Sequence, residues 1–260
     1  MQERHINRKR YFEEQSRTSK NYYIPYIQRV TGYLPTKVLE VGCGEGGNLL
    51  PFAELGCEIV GVDIDVSRIK QACTFFTEKN QKGTFIASDI FKLKALENNF
   101  SLILIHDVIE HIDCKAKFLS DIKSYLSSKG VLFIAFPDWQ MPFGGHQQIA
   151  RGKFISHFPF IHLLPGILYK WILRTCGERR EVVEELLSIK ATRCTIETFR
   201  ELVENTGYQI INQQLYFINP HYEVKFGLPP RKLNKIISSL PYLRNFFSTS
   251  CFYILKKREY

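Results

Sequence analysis

The chain has 260 residues, of which 45% are hydrophobic and 23% charged, and its formal net charge is +9. These values are typical of ordinary soluble globular proteins that can bury a sizeable core. Its seven cysteines are odd in number and show no paired spacing, which argues against a disulfide framework or a zinc site and favours reduced thiols in the cytoplasm.

The first fifteen residues, MQERHINRKRYFEEQ, are charged and lack the apolar stretch of a signal peptide. No run of about 18 uninterrupted apolar residues follows, so we expect no spanning helix. The closest candidate, 154–174, is interrupted by histidine, proline, glycine and lysine. We expect this segment to cap the substrate site, with peripheral membrane contact as a second interpretation.

Positive charge is concentrated in the segments 1–31, 137–194 and 217–260, whereas the remaining residues are net acidic. This asymmetry indicates either a solubilising surface or an anionic partner. A nucleic-acid partner is disfavoured, because basic and aromatic residues do not alternate along a strand face and no RNA-binding signature is present.

Strand and helix signals alternate through the first half of the chain. Continuous apolar runs predict five strands: Lys37–Val41, Glu58–Val62, Thr84–Ala87, Phe100–Ile105 and Val131–Phe136. Three helical segments are predicted between them: Gly46–Leu55, Val66–Lys79 and Asp113–Ser127. Asp65 and Asp113 are the predicted N-caps, and Gly56 and Gly130 the predicted C-terminal stops. Such alternation predicts an α/β fold with a Rossmann-like, doubly wound parallel sheet.

After Pro137 this alternation stops. An α-rich insertion precedes a helix over Thr195–Thr206 that begins with a capping box at Thr195. A strand over Tyr208–Phe217, a second insertion (218–247) and a last strand over Thr249–Lys256 complete the chain. We therefore divide the chain into a helical lid, a cofactor-binding core, a substrate cap and a C-terminal part of the core, over residues 1–31, 32–136, 137–194 and 195–260.

The segment KVLEVGCGEGGNLL places a glycine-rich loop between the first strand and the first helix. Gly42, Gly44 and Gly47, with Asp63 at the end of the second strand, satisfy the dinucleotide fingerprint, so an NAD enzyme is one interpretation. Glu40 favours another, because its negative charge would repel a pyrophosphate and attract the ammonium group of S-adenosylmethionine (SAM). A carboxylate at Asp89 could also accept the exocyclic amine of adenine.

Four motifs in order, E-V-G-C-G-E-G, G-V-D-I-D, A-S-D-I and H-D-V-I-E-H-I, resemble those of class I SAM-dependent methyltransferases. The resemblance covers 37–136 and is closest to the branch that includes ubiquinone-type O-methyltransferases and related methyltransferase-domain proteins. It implies a seven-stranded sheet whose last strand is antiparallel, and the final apolar run is the candidate for that strand.

The resemblance also implies roles for individual residues. Residues at the methionine end of the cofactor would be Glu40, Gly42 and Gly44, with His106 beside the reacting methyl group. Asp63 would bind the ribose hydroxyls, and adenine would contact Ile64, Asp89 and Ile90. An N-terminal helix covers the cofactor in many relatives, which makes Tyr11, Tyr22 and Tyr23 candidates for a lid.

Methyl transfer needs alignment of acceptor and methyl group, and in some cases a base. The loop after the fifth strand would face the acceptor, because ligands bind at the carboxyl ends of parallel strands. We predict His146 as the base, with Asp138 and His106 as the other catalytic candidates and Trp139 and Phe143 as walls of the acceptor site. Alignment without any base remains the alternative.

A cluster of polar residues follows the fourth strand. If this turn is helical, Asp107, Glu110 and His111 share one face, and some ubiquinone-type relatives bind a divalent ion with a set of this kind. The pair Glu110–His111 also occurs with structural roles. We predict no metal at this position.

Taken together, these features predict a SAM-dependent methyltransferase that modifies an oxygen atom of a small-molecule, glycan or lipid-linked acceptor. Two alternatives remain open: an NAD-type Rossmann oxidoreductase, and a catalytically silent domain that binds SAM. Glu40 and Asp89 argue against the first alternative, and only measured activity separates the second.

Overall fold

Eight strands form one mixed sheet in the computed structural model, which describes residues 7–258. The strands are β1 Lys37–Val41, β2 Glu58–Asp63, β3 Thr84–Ala87, β4 Phe100–His106, β5 Leu126–Phe136, β6 Tyr208–Ile218, β7 Arg231–Lys232 and β8 Ser250–Lys257. Their spatial order is β3-β2-β1-β4-β5-β8-β6-β7. The α/β fold with a doubly wound sheet is thereby confirmed.

Eleven α-helices connect or cover these strands within the described part of the chain. They are α1 Arg8–Thr18, α2 Ile24–Thr31, α3 Leu50–Glu54, α4 Val66–Glu78, α5 Lys115–Ile122, α6 Lys153–His157, α7 Gly166–Thr175, α8 Arg180–Thr192, α9 Ile196–Asn205, α10 His221–Phe226 and α11 Lys235–Ser239. A π-helical turn, Ser19–Tyr23, joins α1 to α2. Of the helices within residues 7–258, none has the length and apolar character that crossing a membrane requires.

The strands β3, β2, β1, β4 and β5 are parallel, and the strand order reverses between β1 and β4. Residues 38–41 and 102–105 are buried throughout, because helices cover both faces of the sheet at this point. The carboxyl ends of β1 and β4 consequently lie side by side. This is the position at which open α/β sheets bind ligands.

The antiparallel last strand was predicted and is confirmed: β8 runs antiparallel between β5 and β6. The sheet has eight strands within the described residues, one more than the seven expected. The additional strand is β7, which belongs to the second insertion and pairs with the end of β6 through Tyr216 and Lys232. A strand of two residues carries no hydrophobic pattern, so β7 could not be predicted from the sequence.

The N-terminal helix α1 packs directly on the glycine-rich loop. Phe12 is buried against Phe75 and Phe76, with ring centroids 5.0 and 6.3 Å apart. A Cβ atom added at Gly47 would lie 2.6 Å from the carbonyl oxygen of Phe12, so only glycine permits this approach. The first six residues of the predicted lid lie outside the described residues.

The insertion 137–194 builds a small hydrophobic core of its own, made mainly of α6, α7 and α8. Tyr169, Leu173 and Leu186 are fully buried in it. The two insertions touch through Phe160 and Phe246, whose ring centroids are 6.3 Å apart. Residues of both insertions also line the cleft described below.

Three local predictions need correction. The helix expected over Gly46–Leu55 is confined to α3, because Gly46 has a positive φ of 80° and continues the loop. Gly130 does not end a helix: it lies within β5, where a Cβ atom would be 2.5 Å from the carbonyl oxygen of Phe100. Asp113 is not an N-cap, since α5 begins one residue later, after Cys114. Asp65 and Thr195 do cap α4 and α9 with their side chains, as predicted.

Removing the ring of Phe133 should destabilise the whole fold. Phe133 is fully buried in β5, with its ring centroid 5.3 Å from Tyr23 and 5.4 Å from Phe252. Phe133→Ala should lower the free energy of unfolding by about 3–5 kcal/mol, measured by urea denaturation. The control Phe154→Ala, at a side chain that is 59% exposed, should change it by less than about 0.5 kcal/mol. Equal effects would contradict this packing.

Candidate functional site

The loop between β1 and α3 turns sharply at the carboxyl edge of the sheet. Gly42, Gly44 and Gly46 have positive φ values of 73°, 52° and 80°, which side chains other than glycine rarely adopt. The side chain of Val108 lies against Gly42, where a Cβ atom would be only 2.5 Å from it. Glycine at these positions therefore permits both the backbone turn and the close approach of neighbouring side chains.

Glu40 is buried at the end of β1, two residues before the loop. Its Oε1 accepts a hydrogen bond from Asn48 Nδ2 at 2.7 Å, and its Oε2 has no partner among residues 7–258. Burial raises the pKa of Glu40 to about 8, and the nearby Asp63 raises it further. A buried carboxyl group with one unsatisfied oxygen is suited to a cationic ligand.

Asp63 ends β2 beside the loop. Its Oδ2 accepts a hydrogen bond from Gly44 N at 2.8 Å, and its Oδ1 accepts one from Asp65 N at 2.9 Å. Each carboxylate oxygen can accept a second hydrogen bond. Next to Asp63, the side chain of Ile64 is 80% exposed and could cover a flat ligand.

Asp89 and Ile90 follow β3, at the same edge of the sheet. Asp89 is exposed and its Oδ1 accepts a hydrogen bond from Phe91 N at 3.0 Å. Ile90 is only 4% exposed and packs within the main hydrophobic core, where its carbonyl oxygen accepts a hydrogen bond from Tyr125. The structure thus presents Asp89, and little of Ile90, to a ligand.

His106 ends β4 next to the glycine-rich loop. Its ring centroid is 5.3 Å from that of Tyr23, which is buried, and its Nε2 is 3.6 Å from Asp107 Oδ2. Of the three predicted lid tyrosines, Tyr23 packs behind His106 and Tyr22 donates a hydrogen bond to Glu223. Tyr11 lines the open cleft, and burial raises its pKa.

A cleft of about 450 Å³ extends from the glycine-rich loop towards the insertions. Its walls come from α1, α4, the turn after β4, the loop after β5, and α10. The polar and aromatic side chains among them are Arg8, Tyr11, Arg68, Asp107, His111, Phe143, His146, His221, Tyr222 and Lys225. No sequence pattern pointed to His221, Tyr222 or Lys225, because a separate insertion brings them to this position.

His146, in the loop after β5, lines this cleft, and its catalytic role stays a prediction. It adopts a left-handed backbone conformation with φ of 55°. Burial lowers the pKa of His146 to about 4, and the neighbouring His111 lowers it further, while Asp107 has the opposite effect. The imidazole is therefore neutral near pH 7 and able to accept a proton.

Glu110, His111 and His146 converge at one wall of the cleft, with one ligand atom from each within 4.8 Å of the others. Glu110 is buried, and neither carboxylate oxygen has a hydrogen-bond partner in the described part of the chain. Burial raises the pKa of Glu110 well above its usual range. This set could hold a divalent ion. It differs from the set considered from the sequence, since His146 replaces Asp107, and the absence of a metal stays a prediction.

Two residues of the loop after β5 lie outside the cleft. Asp138 is fully buried, and its two oxygens accept hydrogen bonds from Gln140 N at 2.7 Å and Ile196 N at 2.8 Å. Trp139 is 6% exposed and packs edge-on against His162 at 4.6 Å. The expected proton-transfer role of Asp138 and acceptor-wall role of Trp139 therefore do not fit this geometry. Asp138 instead binds the loop to α9 through Ile196 N, and Trp139 packs the loop against His162 of the cap.

A second cavity of about 590 Å³ adjoins the cleft and has mainly apolar walls. The two cavities share Phe143, Gln148, Tyr222 and Lys225. Beyond these, the second cavity is lined by residues of both insertions, including Ala150, Phe226 and Leu228. A polar cleft is thereby continuous with an apolar chamber.

Comparison with known proteins identifies similar chains. Residues 35–161 match the family described as "Methyltransferase domain". The chain is 28% identical over 120 residues to the ubiquinone biosynthesis O-methyltransferase of Bartonella bacilliformis, covering 44% of this chain and 48% of that protein. The chain is also 31% identical over 119 residues to the enzyme of the same name from Parvibaculum lavamentivorans. This match covers 46% of this chain and 47% of that protein. The chain spans about half the length of the curated relatives it matches.

Solved structures show the same fold over a longer part of the chain. Magnesium protoporphyrin IX methyltransferase from Synechocystis PCC 6803, with bound S-adenosylhomocysteine (SAH), matches with a TM-score of 0.56 and 15% identity over 95% of this chain and 84% of that one. The plantazolicin methyltransferase BamL, also in complex with SAH, matches with a TM-score of 0.58 and 13% identity. This match covers 98% of this chain and 89% of that one. At these identities the likeness concerns the fold alone.

Replacing Asp138 should destabilise the protein, because its carboxylate is used within the fold. Asp138→Ala leaves the amides of Gln140 and Ile196 without an acceptor, which costs about 1–3 kcal/mol for each buried donor. The free energy of unfolding in urea measures this loss. The control Asp113→Ala, at an exposed position, should be nearly neutral. Wild-type stability of Asp138→Ala would show that its carboxylate is not needed for the fold.

Proposed function

Because the chain carries a class I SAM-dependent methyltransferase domain, we propose that it transfers the methyl group of SAM to an oxygen atom of a small acceptor, one that is free or linked to a lipid or a glycan. The observation that carries this proposal is the buried carboxyl group of Glu40, with its unsatisfied oxygen beside three glycines in left-handed conformation. SAM bears an ammonium group and a sulfonium, so its methionine end meets the charge requirement of this position.

The residues at the sheet edge fit the remaining parts of SAM. Asp63 keeps one acceptor position on each oxygen for the two ribose hydroxyls. The exposed Ile64 and Asp89 would contact adenine, with Ile90 supporting the edge from the core. His106 lies beside the loop and would contact the methionine end with its backbone or ring.

The same charges argue against an NAD-type oxidoreductase. A pyrophosphate over Gly42 and Gly44 would lie next to Glu40, whose ionised form would repel it. The third interpretation, a domain that binds SAM without catalysis, is disfavoured by the open cleft that leads away from the loop and contains a neutral histidine.

We expect the acceptor to have a polar reacting end and an apolar part. The polar cleft beside the glycine-rich loop would hold the reacting hydroxyl group, and the apolar chamber would hold the remainder. Phe143 lies in the wall of both cavities and would contact the acceptor where the two meet. A lipid-linked or otherwise amphiphilic small molecule matches this shape better than a nucleic acid.

SAM, when bound, supplies a methyl group that sulfonium activates towards nucleophiles. His146 would accept the proton of the acceptor hydroxyl, since it lines the cleft and its imidazole is neutral. Its lowered pKa makes it a weaker base than an ordinary histidine, so the proposal rests on its position in the cleft. Glu110 lies close to it, with Oε1 3.9 Å from His146 Nε2. The cap and α1 would exclude water and fix the acceptor for in-line transfer.

Contact with an anionic membrane surface is a second candidate property of the cap. The outward face of α7 combines the exposed apolar residues Ile167 and Trp171, at 89% and 61% exposure, with Lys170 and Arg174. Such a face is suited to a bilayer surface that delivers an amphiphilic acceptor. A cytoplasmic location stays a prediction.

The first test concerns the cofactor. Calorimetry should show binding of SAM and SAH and no binding of NAD. Asp63→Ala removes two hydrogen bonds to a charged acceptor, each contributing about 1.5–3 kcal/mol, so SAH affinity should fall at least about tenfold. The variant also leaves the amides of Gly44 and Asp65 without this acceptor, so the affinities are compared at a temperature at which circular dichroism shows both proteins folded. Unchanged affinity would remove Asp63 from the ribose site, and binding of NAD alone would overturn the proposed function.

The second test concerns the base. With an acceptor identified by transfer of radiolabelled methyl from SAM, His146→Ala should lower the transfer rate by about 10²–10⁴-fold. SAH affinity, measured in parallel, should stay within about twofold of wild type, because His146 lies in the acceptor part of the cleft. A wild-type transfer rate would exclude His146 as the base and leave alignment alone as the source of catalysis.

A further inference from the structure

The apolar chamber carries positive charge on its wall. Arg151 of the first insertion and Lys225 of α10 in the second both line it, and no aspartate or glutamate lines it in the described part of the chain. The polar cleft differs, because Asp107 and Glu185 line it together with basic side chains. The chamber therefore combines mainly apolar walls with charge of one sign.

The backbone of Arg151 is held in place, whereas its side chain is uncommitted. The buried carboxylate of Glu178 accepts hydrogen bonds from Arg151 N at 3.0 Å and from Gly152 N at 2.8 Å. These amides use both oxygens of Glu178, and within residues 7–258 the guanidinium of Arg151 makes no hydrogen bond or ion pair. A guanidinium binds two oxygens of a carboxylate or a phosphate at once. Arg151 thus offers this fork to a ligand in the chamber.

Lys225 is half-buried and lies where the chamber meets the cleft, since it lines both cavities. Its Nζ is 5.1 Å from the ring centroid of Phe226, another residue of the chamber wall. His146 lines the cleft and is not among the residues that line the chamber. An anion bound by Lys225 and Arg151 would therefore lie on the chamber side of the reacting hydroxyl group.

The chamber walls determine which ligands these two charges favour. A positive charge beside an apolar surface attracts an anion more strongly than it would in bulk water, because the local dielectric constant is lower. An uncharged alkyl chain would fill the chamber without using either charge, and a cationic amphiphile would be repelled by both. Shape and charge together favour a molecule that has an apolar part and an anionic group.

We propose that the acceptor is an anionic amphiphile whose phosphate or carboxylate group is bound by Arg151 and Lys225 while its apolar part fills the chamber. The inference rests on the proposed function, since it names the chemical class of the same acceptor. The reacting hydroxyl group would extend into the cleft towards His146. Arg151 and Lys225 would then determine which acceptor binds, and would take no part in binding SAM.

Three probes with a short alkyl chain and different polar groups test the proposal: octyl phosphate, octanoate and 1-octanol. Their affinities are measured by calorimetry with SAH present, below the concentrations at which they form micelles. The wild-type chain should bind at least one of the two anions at least about tenfold more tightly than 1-octanol. Whether octyl phosphate or octanoate binds more tightly identifies the anionic group.

Three variants locate the binding site of the anion. Arg151→Met and Lys225→Met should each lower the affinity for the preferred anion at least about tenfold and change that for 1-octanol less than about threefold. The control Arg179→Met removes the same charge at an exposed position of the same insertion, outside the residues that line either cavity. It should leave all affinities unchanged.

The outcomes separate this proposal from the proposed function, because SAH binding is measured in the same samples. Equal affinity for the anions and 1-octanol, or no binding of either anion, would overturn the anionic class while SAH binding leaves the proposed function standing. An equal loss in Arg179→Met would show attraction to the basic surface in general and would also overturn it. A wild-type chain that does not bind SAH would overturn the proposed function itself.

Discussion

The buried carboxyl group of Glu40 is the constraint from which the rest of the site follows. It lies at the end of a strand that is covered on both faces, with Asn48 as the partner of one oxygen and none for the other among the described residues. Burying an ionisable group in this way costs stability unless a ligand or a proton compensates it. The glycines beside it have positive φ values and leave room for neighbouring side chains, Val108 at Gly42 and Arg68 at Gly44, and Asp63 adds a second carboxylate beside the loop.

In the proposed function, the insertions supply the acceptor site that the central sheet lacks. The N-terminal segment connects the glycine-rich loop to the second insertion: Phe12 of α1 packs against the loop, and Thr18 Oγ1 lies 2.9 Å from His221 Nδ1. Tyr22, in the π-helical turn after α1, adds a hydrogen bond to Glu223 of α10. The position of α10 at the cleft and the packing of α1 on the loop are therefore connected through this segment.

Features that depend on local sequence could be predicted. The strands of the central sheet and the caps at Asp65 and Thr195 follow from apolar runs and capping residues. The antiparallel direction of the last strand was implied by the resemblance to class I SAM-dependent methyltransferases. Features that depend on distant contacts could not. Glu110 and His146 converge although 35 residues separate them in the chain. The sequence also does not reveal that both carboxylate oxygens of Asp138 accept hydrogen bonds from the backbone amides of Gln140 and Ile196. Nor does composition distinguish Trp139, which packs inside the cap, from Phe143, which lines both cavities.

The proton balance of ligand binding tests the charge complementarity most directly. The pKa of Glu40, raised to about 8, leaves this group largely protonated at pH 7 in the free protein. A cationic partner favours the ionised form, so SAH binding at pH 7 should release close to one proton, seen as a dependence of the calorimetric enthalpy on the ionisation heat of the buffer. Glu40→Gln should bind without this release. A binding enthalpy that is the same in all buffers, or equal proton release in wild type and Glu40→Gln, would contradict the assignment of Glu40 as the partner of the cofactor cation.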